Sequence, residues 1–173
     1  MMDVESAIRT RRTHKAYGDE PVDEATLREL FDLARWAPNH HLTNPWRFRV
    51  LGPAALERLM AAADADKPGS GTKLCRAPTL VVVSAILTDD ETEREEDLLA
   101  AGCAAYVLLL GAHARGLANY WRTPAVLRTE QGREALRLGP DEHPIGLIHL
   151  GPRRQEQPPP ERAPVDAIAV WLD

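Results

Sequence analysis

Hydrophobic positions recur along this chain with two periods, one helical and one strand-like, and the changes of period mark its elements. Val4, Ala7 and Ile8 share one face of a predicted helix over residues 3–11, with Asp3 and Glu5 in its first turn. A second helix opens at Asp23-Glu24-Ala25-Thr26 and runs to about Trp36, with Leu27, Leu30, Phe31 and Ala34 inward. Pro38-Asn39-His40-His41 ends it in a loop. Trp46-Arg47-Phe48-Arg49-Val50-Leu51 alternates apolar and basic residues, as a half-buried strand does. An alanine-rich helix covers 54–65. Lys67-Pro68-Gly69-Ser70-Gly71-Thr72-Lys73 is a loop without Walker A spacing.

Leu80-Val81-Val82-Val83-Ser84-Ala85-Ile86 is a continuous apolar run, which predicts a strand covered on both faces. Thr88 to Asp97 is acidic and expected in solvent. The helix predicted from Glu96 to Arg115 is apolar nearly all round, so burial on most sides is expected. Gly102, Ala104, Ala105 and Gly111 keep its surface small, and Gly116 suits its end. Asn119 to Arg122 is a short strand or loop, 127–136 a short helix, and 145–151 a strand. Five prolines, Pro152, Pro158, Pro159, Pro160 and Pro164, precede the apolar end from Val165 to Leu172. That pattern reads as an arm that docks elsewhere.

Composition narrows the picture. A chain of 173 residues at 44% hydrophobic suits one domain, 1–173, of which about 152–173 form the arm. The net charge of -5 argues against nucleic-acid binding. The first residues have no signal-peptide pattern. The apolar run from Leu98 to Gly111 falls short of the roughly 20 residues that span a bilayer, so no membrane association is expected. Cys75 and Cys103 form neither a disulfide framework nor a metal spacing, and are expected as reduced, buried thiols of a cytoplasmic protein. Adjacent His40 and His41 cannot converge on one metal. His113 and His149 are expected as satisfied structural histidines, and Trp36 and Trp46 as core residues.

Against the acidic background stands Arg9-Thr10-Arg11-Arg12-Thr13-His14-Lys15-Ala16-Tyr17. A local cation cluster on an anionic protein suits a small anionic ligand, with Arg forks and Thr hydroxyls as donors. A solvated helix end accounts for the same residues.

Five stretches in order resemble the FMN-dependent nitroreductases, and among them the short, minimal YdjA-like forms. They are Arg11-Arg12-Thr13-His14-Lys15-Ala16-Tyr17, then Ala37-Pro38-Asn39-His40 running into Asn44-Pro45-Trp46-Arg47-Phe48, and Ala101-Gly102-Cys103-Ala104-Ala105. Arg115-Gly116-Leu117 with Trp121-Arg122-Thr123, and Ile145 to Gly151, complete the set. The resemblance implies an α+β sandwich with a mostly antiparallel sheet between helices. It implies a homodimer built on the long helix, with C-terminal arms reaching across to the partner and Trp171 packed there.

It further implies two FMN sites in the dimer interface. Arg11, Arg12 and Thr13 match positions that hold the phosphate and ribityl chain. Lys15 matches a position at the flavin N1/O2 edge, where a cation stabilises negative charge. Asn39 and His40 match a loop covering the partner's flavin, and Trp121, Arg122 and Thr123 a segment lining the ring system. Arg162 matches a late basic residue near the phosphate, and Lys73 a further flavin contact. Thr13 stands where Ser is more usual, His40-His41 where many relatives have Ser, and Asn44 where Gln is common. These departures bear on substrate preference. Without the insertions of longer members the pocket is expected to be open.

The activity implied is an NAD(P)H-dependent oxidoreductase acting on nitro compounds, quinones or related small acceptors in alternating two-electron half-reactions. No protein catalytic residue is needed, because the flavin carries the chemistry. The alternative is a flavin-binding module, an FMN carrier or redox sensor, with little turnover.

Overall fold

The computed structural model describes residues 2–172. The helices are α1 (Val4–Thr10), α2 (Glu24–Ala34), α3 (Pro53–Asp66), α4 (Glu91–Ala114) and α5 (Glu130–Leu136). The strands are β1 (Trp46–Val50), β2 (Thr79–Ile86), β3 (Leu117–Arg122) and β4 (Glu142–Pro152). They form one antiparallel sheet in the order β1-β2-β4-β3. The fold class is the expected α+β sandwich.

Local chemistry sets the helix starts. Asp3, Asp23 and Asp90 each accept a hydrogen bond from the backbone N–H three residues on, at 2.8–2.9 Å, satisfying donors that have no intrahelical partner. Thr129 caps α5 in the same way. Gly116, at φ +76°, follows α4 and donates its N–H to the His113 carbonyl.

β2 is covered on both faces, as its unbroken apolar run predicts. Val81, Val83 and Ala85 meet Leu27, Leu30, Ala101, Ala105 and Leu108 of α2 and α4. Leu80 and Val82 point the other way, toward Leu59, Ala63 and Leu74 and the end of α5. Arg49 of β1 pairs with the buried Glu142 of β4, Arg49 Nη2 donating to Oε2 at 2.7 Å, and Ser84 also donates to that carboxylate. α4 is long and apolar enough to span a bilayer by length and composition alone. It packs instead on α2 and the sheet, as a core helix. At Gly111 an added Cβ would meet Leu30 at 3.0 Å and Leu33 at 3.1 Å, which shows how closely α2 approaches.

Several sequence expectations need correction. α4 opens at Glu91, so the acidic stretch forms its first turns, and Asp97 is buried because Thr43 Oγ1 donates to it at 2.6 Å. α4 is buried on most sides, as expected, except for an exposed stripe of Leu99, Cys103 and Tyr106 one turn apart. Trp36 is 74% exposed because it lies just past the end of α2, whereas Trp46 is core. Val4 and Ile8 are exposed, leaving only Ala7 of that face covered. Both cysteines are exposed. Residues 127–136 divide into a 3-10 turn over Ala125–Arg128 and α5. His113 is satisfied by Thr10, but His149 is fully buried with neither ring nitrogen bonded.

Beyond β4 the chain is tied by an Arg154–Asp19 ion pair at 2.9 Å. It then runs exposed through a 3-10 turn at Val165–Ala167. Val165, Ile168, Val170, Trp171 and Leu172 have no cover within the protomer.

Candidate active site

The basic segment is laid across one end of the sheet. α1 stops at Arg11, whose backbone turns extended. Thr13 then bridges Asn119 of β3 in parallel, and the His14 N–H donates to the Asn119 carbonyl at 3.0 Å. Tyr17 bridges Arg153, and the Gly18 N–H donates to the Pro152 carbonyl at 2.8 Å. Thr10 Oγ1 lies 2.8 Å from His113 Nε2, joining α1 to the end of α4.

Arg9 lies 3.8 Å from Glu5 Oε2, but among the described residues Arg11, Arg12 and Lys15 have no anionic partner. Arg11 Nη1 donates to Asn119 Oδ1 at 3.3 Å. Arg12 Nη1 donates to the carbonyls of Arg9 and Arg11 at 2.7 and 2.8 Å, while its Nε is buried without a partner. Partial burial pulls the Arg11 pKa below the usual arginine value; Tyr106 opposes this, and the nearby Arg12 and Arg162 add to it. Among the described residues none of these three arginines makes an ion pair. Thr13 and Lys15 are exposed.

The far end of β3 carries Trp121 and Arg122. Trp121 Nε1 donates to the Ile145 carbonyl at 3.2 Å, which fixes the indole against β4. Arg122 Nη1 donates to the Lys73 carbonyl at 2.7 Å, drawing the 71–73 turn alongside. A cavity of about 120 Å³ lies there, lined by Lys67, Ser70, Lys73, Arg122 and Pro124 among others. Thr123 is exposed just past the strand. Arg11, Arg12 and Arg162 thus form one basic group, and Arg122 with Lys73 another at the far end of β3.

Asn39 and His40 do not join them. His40 Nδ1 lies 2.6 Å from Glu96 Oε2, and Glu96 and His113 are seventeen residues apart on α4, about 26 Å along its axis. Their loop is itself unusual. His41, Leu42 and Asn44 have φ of 49°, 54° and 47°, a left-handed conformation costly for non-glycine residues. Asn39 Oδ1, accepting the Asn44 N–H at 2.9 Å, and the Thr43–Asp97 bond hold the loop in place. Strain of this kind gathers at ligand clamps. Leu42 stands 77% exposed at its tip.

The family model described as Nitroreductase family matches residues 8–152. The chain belongs to the Nitroreductase family. That places it among the oxidoreductases, as an enzyme. It is 29% identical over 159 residues to Putative NAD(P)H nitroreductase YfhC of Bacillus subtilis, covering 83% of this chain and 81% of that one. Putative NAD(P)H nitroreductase YdjA of Escherichia coli is 26% identical over 161 residues, covering 87% of this chain and 88% of YdjA. Among solved structures, a putative nitroreductase in complex with FMN from Desulfovibrio desulfuricans superposes with a TM-score of 0.80. It is 26% identical and covers 100% of this chain and 98% of that one.

Sequence reasoning missed four residues of the region. Asn119 is an amide at 0% exposure in an apolar strand, and that incongruity was its only signal. Tyr106 lies near Arg11 on the open face of α4. Glu96 and Asp97, taken for solvated acids, anchor the strained loop.

Proposed function

We propose that the protein is an FMN-dependent oxidoreductase that takes electrons from NAD(P)H and reduces nitro compounds, quinones or related small acceptors. The observation that carries this reading is the trio Arg11, Arg12 and Arg162, gathered near one another without an ion-pair partner among the described residues. Cations held together in this way favour an anion, and the orphaned Arg12 Nε is a spare donor. A terminal phosphate fits this donor set. FMN is favoured over FAD because no dinucleotide glycine fingerprint follows a strand.

FMN, when bound, supplies a two-electron redox centre open to both NAD(P)H and acceptor. The chain's own residues bind and tune it. Arg11, Arg12 and Thr13, with Arg162, would hold the phosphate and ribityl chain. Lys15 would favour negative charge on the flavin N1/O2 edge. Trp121, Arg122, Thr123 and Lys73 would line the ring system.

The same reading makes the protein a cytoplasmic homodimer. The exposed stripe Leu99, Cys103, Tyr106 is centred between the His40 loop and the basic segment on α4. A two-fold axis near Cys103 would set the antiparallel α4 helices together. It would bring the strained loop of each protomer, with Asn39 and His40, beside the basic segment of the other. The exposed arm after Pro152 would then cross to the partner.

The test is direct. Purified protein is heated, and the released flavin is chromatographed. FMN is expected, and a fresh sample should bleach with NAD(P)H under nitrogen and recover on adding a quinone or nitroarene. FAD, or no flavin after reconstitution with excess FMN, would overturn the cofactor. Bound FMN that NAD(P)H does not bleach would leave a flavin-binding module.

A further inference from the structure

We propose that Asn119 is a positioning residue that sets the Arg11 guanidinium for the phosphate, a role that rests on the FMN reading above. Asn119 is completely buried, and its side-chain oxygen and nitrogen both have hydrogen-bond partners. Its side-chain Oδ1 accepts from Arg11 Nη1 at 3.3 Å. Its Nδ2 donates to the Leu109 carbonyl of α4 at 3.3 Å and to the Leu117 carbonyl at 3.4 Å. Its main-chain carbonyl accepts the His14 N–H at 3.0 Å, and it forms the bridge to Thr13.

The chemistry of the partners fixes the amide orientation. Arg11 can only donate and the two carbonyls can only accept, so a flipped amide would lose every side-chain bond. One buried side chain therefore joins α4, β3 and the basic segment.

The segment's backbone is anchored elsewhere too, but among the described residues Asn119 is the hydrogen-bond partner of the Arg11 side chain. α1 buries only Ala7, and Thr13 and Lys15 are exposed. Left to itself, the flexible Arg11 side chain would sample many rotamers, and ordering it on binding would cost affinity. Oδ1 restricts it beforehand. Arg11 uses one donor on Asn119 and keeps the rest of its fork. Asn119 itself need not touch the ligand. It acts through Arg11.

A double-mutant cycle read by FMN affinity separates positioning from mere stability. Asn119→Leu removes the acceptor and Arg11→Met removes the group it positions. Asn119→Leu should weaken FMN binding about fivefold in the parent, one hydrogen bond's worth, and less than twofold in the Arg11→Met background. Equal losses in both backgrounds would overturn the role. Asn119→Asp, which keeps an acceptor for Arg11, serves if the leucine variant does not fold. It should retain affinity better than Arg11→Met, and an equal loss would count against positioning.

A second readout needs no flavin. Nitrogen-15 relaxation of Arg11 Nε should report a restrained side chain in the parent and a mobile one in an Asn119 variant that folds. Equal mobility would overturn the proposal. If the parent binds no FMN yet shows this change, the cofactor reading fails and the positioning of Arg11 stands.

Discussion

The indole of Trp121 occupies the space that a side chain at position 146 would need: a Cβ built on Gly146 overlaps Trp121 Nε1 and lies 3.0 Å from the Arg122 carbonyl. Backbone closes one side, so only the indole can give way. Gly146→Ala should displace it and break its 3.2 Å bond to the Ile145 carbonyl. The expected cost is about 1–3 kcal/mol, the range for overpacking a filled site. Urea denaturation of the two proteins measures it. An unchanged midpoint would mean that the indole is held loosely.

The sequence revealed those elements whose cause is local. β2 was legible because residues of both parities are apolar, which only a strand covered on both faces needs. Asp23 announced α2 because its capping bond spans three residues. The open stripe of α4 was hidden, since Leu99 and Leu108 are the same residue type though one is exposed and the other core. The left-handed conformations of His41, Leu42 and Asn44 were also hidden, because contacts to Glu96 and Asp97, more than fifty residues away, accompany them. The basic segment could be read as a candidate site, but its dependence on Asn119 could not.

Acid should destabilise the protein through His149. Burial, with Arg122 next in weight, pushes its pKa from 6.5 down to about 4, so the folded protein resists a proton that the unfolded chain accepts. Above pH 6.5 neither state binds that proton. As the pH falls from 6.5 to 4 only the unfolded state does, and stability drops. Between pH 7 and pH 5 the loss is about 2 kcal/mol. His149→Phe, which keeps a ring beside Tyr17 and Tyr120, should reduce this slope. His14, His113 and His143, also shifted down by burial, would supply what remains. An identical slope in the variant would assign the whole effect to them.

Association through α4 is open to a charge test. Leu99 is 71% exposed in the protomer, so Leu99→Glu should leave the monomer folded. In the proposed dimer it would place a carboxylate in an apolar seam, and two of them near the axis. Sedimentation should give about twice 19.2 kDa for the parent and about 19.2 kDa for the variant. FMN affinity should fall with dissociation, because the Asn39–His40 loop would no longer reach the partner's site. A parent that sediments as a monomer with FMN bound would refute the shared site.

Lys15 should tune the flavin more than it holds it. Its side chain is exposed, whereas Arg11 is half-buried and fixed on Asn119. A cation at the N1/O2 edge gains most when that edge carries negative charge. It therefore favours the two-electron-reduced cofactor over the oxidised one, and only such a difference moves a redox equilibrium. Lys15→Ala should lower the FMN midpoint potential and slow reduction by NAD(P)H. Its affinity for oxidised FMN should change little. Arg11→Ala should do the reverse, weakening oxidised FMN by about 10- to 150-fold, as loss of a charge-assisted phosphate bond predicts. Potentiometric titration of both variants beside the parent distinguishes the two. A Lys15→Ala midpoint equal to the parent's, together with lost affinity for oxidised FMN, would move Lys15 from the ring to the phosphate.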